Sequence, residues 1–130
     1  MQIVDIYCRS ATYDLDTFEK LQQQEMSCRD YCNKHELAIG FVHFEVAGGY
    51  TYQNRELLQL LRKRYCDGTI QGVVIADFDR LTRNHAHLAD LISEMETRGV
   101  TLHCVRESFD NSATGKIVRL IQGFTADPSY

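Results

Sequence analysis

Proline is nearly missing from this chain: one residue in 130, at Pro128. No Gly/Ser-rich or low-complexity stretch marks a linker either, so the length suits one compact domain with one core. Long apolar runs are lacking as well. None approaches the ~20 residues that a membrane helix needs, and the opening Met1-Gln2-Ile3-Val4-Asp5 has no secretion-signal layout. A cytoplasmic protein without a membrane partner is therefore expected. No Cys-x-x-Cys occurs among the five cysteines, Cys8, Cys28, Cys32, Cys66 and Cys104. Their odd number suits free thiols in a reducing compartment. Cys28 and Cys32 stand one helical turn apart, but no second ligand pair accompanies them, so no metal is expected there. Basic charge is not in excess: 14 Lys and Arg against 18 Asp and Glu leave a net charge of −4. That argues against a whole-surface grip on nucleic acid and leaves room for a local basic site.

What is present is an alternation of strand and helix patterns. Residues 2–8 read as a strand through Ile3, Val4, Ile6 and Tyr7. A helical pattern covers roughly 15–36, with Asp14 or Asp16 as cap and Leu15, Phe18, Leu21, Cys28 and Cys32 as its apolar positions. A second strand spans 41–46, placing Val42, Phe44 and Val46 on one face and His43 on the other. After the Ala47-Gly48-Gly49 loop, Asn54 can cap a helix whose stripe is Leu57, Leu58, Leu60, Leu61 and Tyr65; its Arg62-Lys63-Arg64 run reads as a solvated face. Val73 to Ala76 reads as a strand covered on both faces, 85–96 as a helix stopped by Gly99, 101–105 as a strand and 115–126 as a last helix. The order β-α-β-α-β-α-β-α implies an α/β fold: a mostly parallel sheet with helices on both faces.

In such a fold, functional groups collect beyond the carboxyl ends of the strands. Arg9, Ser10 and Thr12 follow the first strand. Gly48, Gly49, Tyr50 and Arg55 follow the second, Asp77, Asp79, Arg80 and Arg83 the third, and Arg106 and Glu107 the fourth. Several arginines thus converge on one rim of an acidic chain. Arginine's planar fork suits phosphate oxygens, so the cluster reads as an oxyanion or phosphodiester site. In extended chain Asp77 and Asp79 share a face, as a magnesium site of a receiver-like or topoisomerase-primase-like protein would want. The other reading, which the guanidinium density favours, is that they orient the arginines.

These segments resemble the catalytic domain of serine site-specific recombinases, the family of resolvases, invertases and large serine integrases. Tyr7-Cys8-Arg9-Ser10-Ala11-Thr12 is similar to the family's Tyr-x-Arg-Val-Ser-Thr opening, and Gln24 to Cys32 to its first helix. Glu45 to Arg55 resembles the Asp-x-x-x-Ser-Gly…Arg loop, and Asp79-Arg80-Leu81-Thr82-Arg83 matches Asp-Arg-Leu-x-Arg. Gly99-Val100 and Glu107 to Ser112, followed by Gly115, fall in register, so the resemblance covers essentially the whole chain. It implies a serine hydroxyl that attacks a DNA phosphodiester, leaving a 3′ hydroxyl and a 5′ phosphoserine link, without metal or cofactor. It assigns Arg9, Arg80 and Arg83 to the scissile phosphate, with Arg55 joining from the loop side. Asp79 would hold an arginine or shuttle a proton, and Gln24 would support the exit of the first strand. It also implies DNA as partner and a homodimer that pairs into a tetramer at synapsis.

The chain departs from the family at the nucleophile. The serine stands two residues after the arginine in the family; here Ala11 occupies that place. Alternation puts Arg9 and residue 11 on one side and Ser10 on the other, so Ser10 serves as nucleophile only if the strand end kinks or bulges. The loop serine falls at Gly49, the preceding carboxylate is Glu45, and the acidic residue of the last helix is Asp127. Three explanations stand: natural degeneracy to a DNA- or partner-binding module, a variant site built on Ser10, or an engineered alanine. The family's long dimerisation helix and DNA-binding domain have no counterpart within these residues, and the chain is expected to be a single catalytic domain over 1–130.

Overall fold

The computed structural model describes residues 1–49 and 55–106. The helix expected over 115–126, Asp127, the Asn54 cap, Tyr50, and the segment from Glu107 to Gly115 lie outside the described residues.

Four strands form one sheet: β1 (Ile3–Ser10), β2 (Ala38–Val46), β3 (Gly72–Ile75) and β4 (Thr101–Cys104). All pairings are parallel, in the order β2-β1-β3-β4. The chain therefore steps from β1 outward to β2, then reverses across β1 to β3 and on to β4. Right-handed crossovers put the helices of opposite steps on opposite faces. Helix α1 (Thr17–Lys34) covers one face, where its Cys28 and Cys32 pack on Val4, Ile6, Cys8 and Val74. Helices α2 (Glu56–Cys66) and α4 (His85–Thr97) cover the other, where Leu58, Leu61, Tyr65, Leu88, Leu91 and Met95 meet Tyr7, Val73 and Ile75. The expected α/β architecture is present. A four-residue helix not expected from periodicity, α3 (Phe78–Leu81), follows β3; its N-cap is Asp77, whose carboxylate accepts from the Phe78 amide at 2.8 Å. No helix among the described residues is long and apolar enough to cross a membrane.

Several details differ from the sequence pattern. Helix α1 starts at Thr17, and its buried stripe is Thr17, Gln24, Cys28 and Cys32; Leu15 and Phe18 face outward. The Asp14 carboxylate, not that of Asp16, binds a backbone amide at this end, that of Asp16 itself at 2.9 Å. Strand β2 begins three residues early because it carries an extra residue against β1: Val4 pairs with Ile39, but Ile6 pairs with Val42. The irregularity frees the Phe41 amide to donate to Asp5 Oδ1 at 2.8 Å. Val42, Phe44 and Val46 do share a face, but Phe44 and Val46 are exposed, while His43 and Glu45 point inward.

Those inward polar groups are paired, as burial demands. Asp5 is fully buried and accepts from Arg64 (2.6 and 3.0 Å), with His43 Nε2 at 2.8 Å. Burial alone would raise the Asp5 carboxyl, but hydrogen bonds from His43, Arg64 and the Phe41 amide outweigh it and hold it below its usual 3.8. Arg64 also stacks over Phe41, 3.6 Å from the ring centroid. Arg62 grips Glu94 with two bonds of 3.0 and 2.9 Å, tying α2 to α4. The basic run is thus an inter-element clamp at its two arginines, not a solvated face.

Candidate functional site

The site begins where β3 stops. Its pairing with β1 ends at Tyr7–Ile75, so the Arg9 amide and carbonyl on that side lack a strand partner. Gln24 of α1 supplies both: the Arg9 amide donates to Oε1 and Nε2 donates to the Arg9 carbonyl, each at 3.0 Å. The side-chain amide substitutes for one residue of strand and ties α1 to the exit of β1.

The Arg9 side chain points to the α2 face and is 1% exposed. Three of its five N–H donors end on carbonyls: Arg80 (2.9 Å), Ala47 (2.8 Å) and Asp79. It therefore binds the ends of β2 and the turn after β3 to β1. Arg80 answers with Nη1 on the Arg9 carbonyl at 3.2 Å. The loop after β2 is fastened a second time, because the Gly49 carbonyl accepts from the Arg83 amide at 2.8 Å and from Thr82 Oγ1 at 3.0 Å.

Arg55 enters from the start of α2 and is also 1% exposed. Its Nη2 donates to Tyr7 Oη at 2.8 Å and to the Leu81 carbonyl. Tyr7 Oη donates to Glu45 Oε1. Glu45 in turn caps α2 from β2, accepting from the amides of Leu57 (2.7 Å) and Leu58 (3.2 Å). Burial, with the neighbouring Glu45, pushes the Tyr7 hydroxyl well above its ordinary range. Tyr7 and Glu45 carried no signal as a pair in the sequence beyond the rule that a buried tyrosine hydroxyl finds a partner.

The charge balance is unusual. Among the described residues no carboxylate touches Arg9, and burial followed by the charges of Arg55, Arg83 and Arg80 pushes its guanidinium down to about 10. It stays protonated at neutral pH. Arg80 lies 3.9 Å from Asp79, a loose pair, and Asp79 Oδ1 has no hydrogen-bond partner among the described residues. Arg83 is exposed. Arg9, Arg55, Arg80 and Arg83 thus share one rim with three carboxylates, of which Glu45 and Asp77 are engaged at helix starts and Asp79 stands loosely beside Arg80. Beside Arg80 opens a cleft of about 360 Å³ toward α1, lined by Lys20, Gln23, Asp77 and Arg106 among others.

The sequence-expected residues divide accordingly. Arg9, Gln24, Asp79 and Arg80 form one bonded cluster; Arg55 joins it through Leu81, and Arg83 through the Gly49 carbonyl. Asp77 does not share an extended face with Asp79, since residues 78–81 are helical; it pairs with Arg106 at 2.8 Å. From Ile6 onward strand β1 stays in regular register through Ser10, which pairs with Val46. Its hydroxyl faces the α1 side, is nearly buried and donates to the Thr12 carbonyl at 3.0 Å. The bulge that would turn Ser10 toward the Arg9 side is not there. Ala11 is exposed just beyond the strand.

A parallel sheet whose β1, β2 and β3 ends hold an arginine cluster defines a class, and comparison with known proteins gives its name. The family described as Resolvase, N terminal domain matches residues 4–127, and the chain belongs to that family. Among solved structures it is similar to a resolvase family site-specific recombinase from Streptococcus pneumoniae (18% identity, TM-score 0.81, covering 97% of this chain and 87% of that one). It is also similar to the N-terminal catalytic domain of TP901-1 integrase (16% identity, TM-score 0.77, covering 99% and 100%). A third likeness is to the C-terminal catalytic domain of ISC1926 TnpA, an IS607-like serine recombinase (24% identity, TM-score 0.70, covering 94% and 80%). At these identities the likeness is one of fold. No curated protein matches the chain.

Proposed function

We propose that this chain is the catalytic domain of a site-specific DNA recombinase that cuts and rejoins DNA through a 5′-phosphoserine link, with Ser10 as nucleophile. The observation that supports it is the crowding of Arg9, Arg55, Arg80 and Arg83 at the strand ends, where Arg9 donates only to carbonyls and Arg55 and Arg80 make only loose ion pairs of 3.6 and 3.9 Å. In the proposed step Ser10 Oγ bonds to phosphorus while the P–O3′ bond breaks. The hydroxyl proton passes to a base, for which Asp79 with its unpartnered Oδ1 is the rim's candidate. The 3′ oxygen takes up a proton as it leaves. The reverse step on another 3′ end reseals the strand, so the bond energy is kept in the ester. The arginines balance the charge that builds on the phosphoryl oxygens. DNA and further copies of the chain are the proposed partners.

A second reading is a non-catalytic DNA- or partner-binding module on the same fold. It is favoured by Ala11 at the family's serine position and by the Ser10 hydroxyl lying on the opposite face of β1 from Arg9. Incubation with fragmented DNA of the source genome, followed by potassium–SDS precipitation, separates the two. The enzyme reading predicts DNA that precipitates with the protein and is lost in Ser10→Ala. DNA that binds under native conditions but never survives SDS favours the module.

A further inference from the structure

Arg55 raises a question that the roles assigned so far leave open. Its side chain is fully buried, yet Nε and Nη1 have no hydrogen-bond partner among the described residues. A buried cation with idle donors is costly, and folded proteins rarely leave one without a reason. A carboxylate is close at hand: Glu45 Oε1 lies 3.6 Å from Arg55 Nε, within ion-pair range and too far for a hydrogen bond. The pair stops short of closing.

The surrounding contacts explain why. Glu45 is held from three sides: the Leu57 and Leu58 amides at the start of α2, and the Tyr7 hydroxyl on Oε1. The positive end of a helix and a hydroxyl already compensate its charge. Tyr7 Oη donates to Glu45 and accepts from Arg55 Nη2 at 2.8 Å, so it stands between the two charges and occupies the oxygen that Arg55 would otherwise take. The ring also lies under the guanidinium, 5.6 Å from centroid to Cζ, and fixes its height.

We propose that Tyr7 is a positioning residue that keeps Arg55 from closing a direct hydrogen bond to Glu45, so that its Nε and Nη1 donors are kept for a phosphodiester at the rim. This rests on the reading that the rim takes DNA phosphate. An anion that reaches Nε and Nη1 supplies the charge-assisted bonds that these two donors lack among the described residues. Removing the hydroxyl alone reverses the arrangement. In Tyr7→Phe the ring remains, Oε1 keeps only the Leu58 amide, and the 3.6 Å gap closes into a direct Arg55–Glu45 bond.

The test is thermal unfolding of the whole protein titrated with dimethyl phosphate, and separately with inorganic phosphate, at constant ionic strength held with chloride. The wild type is expected to gain a saturable rise in Tm with dimethyl phosphate. In Tyr7→Phe the half-saturating concentration rises on the order of tenfold or more, the effect of one lost charge-assisted hydrogen bond, while Tm in chloride alone does not fall. A tyrosine whose hydroxyl served only to bind the fold together would lower Tm in chloride and leave the phosphate response alone; that outcome overturns the proposal. Arg55→Gln separates it from the underlying reading. If Arg55→Gln abolishes the response and Tyr7→Phe does not, the rim still binds phosphate and the role of Tyr7 falls. A wild type that answers only to inorganic phosphate has a free-phosphate site, and one that answers to neither has no receptor; both overturn the assignment.

Discussion

Arg9 and Arg80 hold each other by their backbones: the Arg9 guanidinium donates to the Arg80 carbonyl at 2.9 Å, and the Arg80 guanidinium donates to the Arg9 carbonyl at 3.2 Å. With Ala47 and Asp79 also on Arg9, this exchange joins three strand ends. A lysine's three donors radiate from one nitrogen and do not reproduce the fork whose Nε, Nη1 and Nη2 each reach a different carbonyl. Arg9→Lys is expected to lose two charge-assisted hydrogen bonds and about 3 kcal/mol of stability. Arg80→Lys, at a half-buried site, costs about 1 kcal/mol or less. Urea unfolding of both variants checks the order; equal losses contradict the bracing role of Arg9.

Gly49 is packed against the same guanidinium. A β-carbon there would lie 2.7 Å from Arg9 Nη2 and 3.0 Å from Cζ, whereas one at Gly48 would meet nothing within 4 Å. The Arg9 fork is pinned by carbonyls and cannot yield cheaply. Gly49→Ser is expected to cost about 1–3 kcal/mol, and Gly48→Ser within about 0.5 kcal/mol. Thermal unfolding of the two variants side by side decides it. If Gly49→Ser is as mild as Gly48→Ser, the loop is not seated on Arg9 as described.

Much of this was legible in the residues, and the gaps have physical causes. The strand–helix alternation and the rim arginines followed from periodicity and from the rule about strand ends. Leu15 and Phe18 misled because apolar spacing does not say where a helix begins; α1 starts at Thr17 and turns both outward. The buried Asp5, His43 and Arg64 were opaque, since a polar residue on an alternating strand reads as solvated unless its partner, 38 or 59 residues away, is known. The four residues of α3 are too few for periodicity, and their turn is held by the Asp77 cap and by the pull of Arg9 on the Asp79 and Arg80 carbonyls. The regular run of β1 from Ile6 to Ser10 depends on its pairing with β2, which no local pattern encodes.

Asp5 supplies a pH signature. Its carboxyl is held below 3.8 in the folded chain, so folding favours its ionised form. That contribution is complete above about pH 5, falls as pH drops past 3.8, and is gone below the folded value. Asp5→Asn removes the partner of Arg64 and His43 and is expected to cost about 3 kcal/mol at pH 7. It should also flatten the acid limb of the stability curve. Denaturant unfolding from pH 7 to pH 3 reads both; an acid limb unchanged in Asp5→Asn rules out the buried pair as its source.

The central claim is that Ser10 makes the covalent link although Ala11 holds the place where the family has its serine. The most direct measurement is peptide mass mapping of the protein after incubation with source-genome DNA, denaturation and exhaustive nuclease digestion. The account predicts a nucleotide joined through its 5′ phosphate to Ser10, and no adduct in Ser10→Ala. A nucleotide on Thr12, or DNA bound with no adduct on any residue, contradicts it.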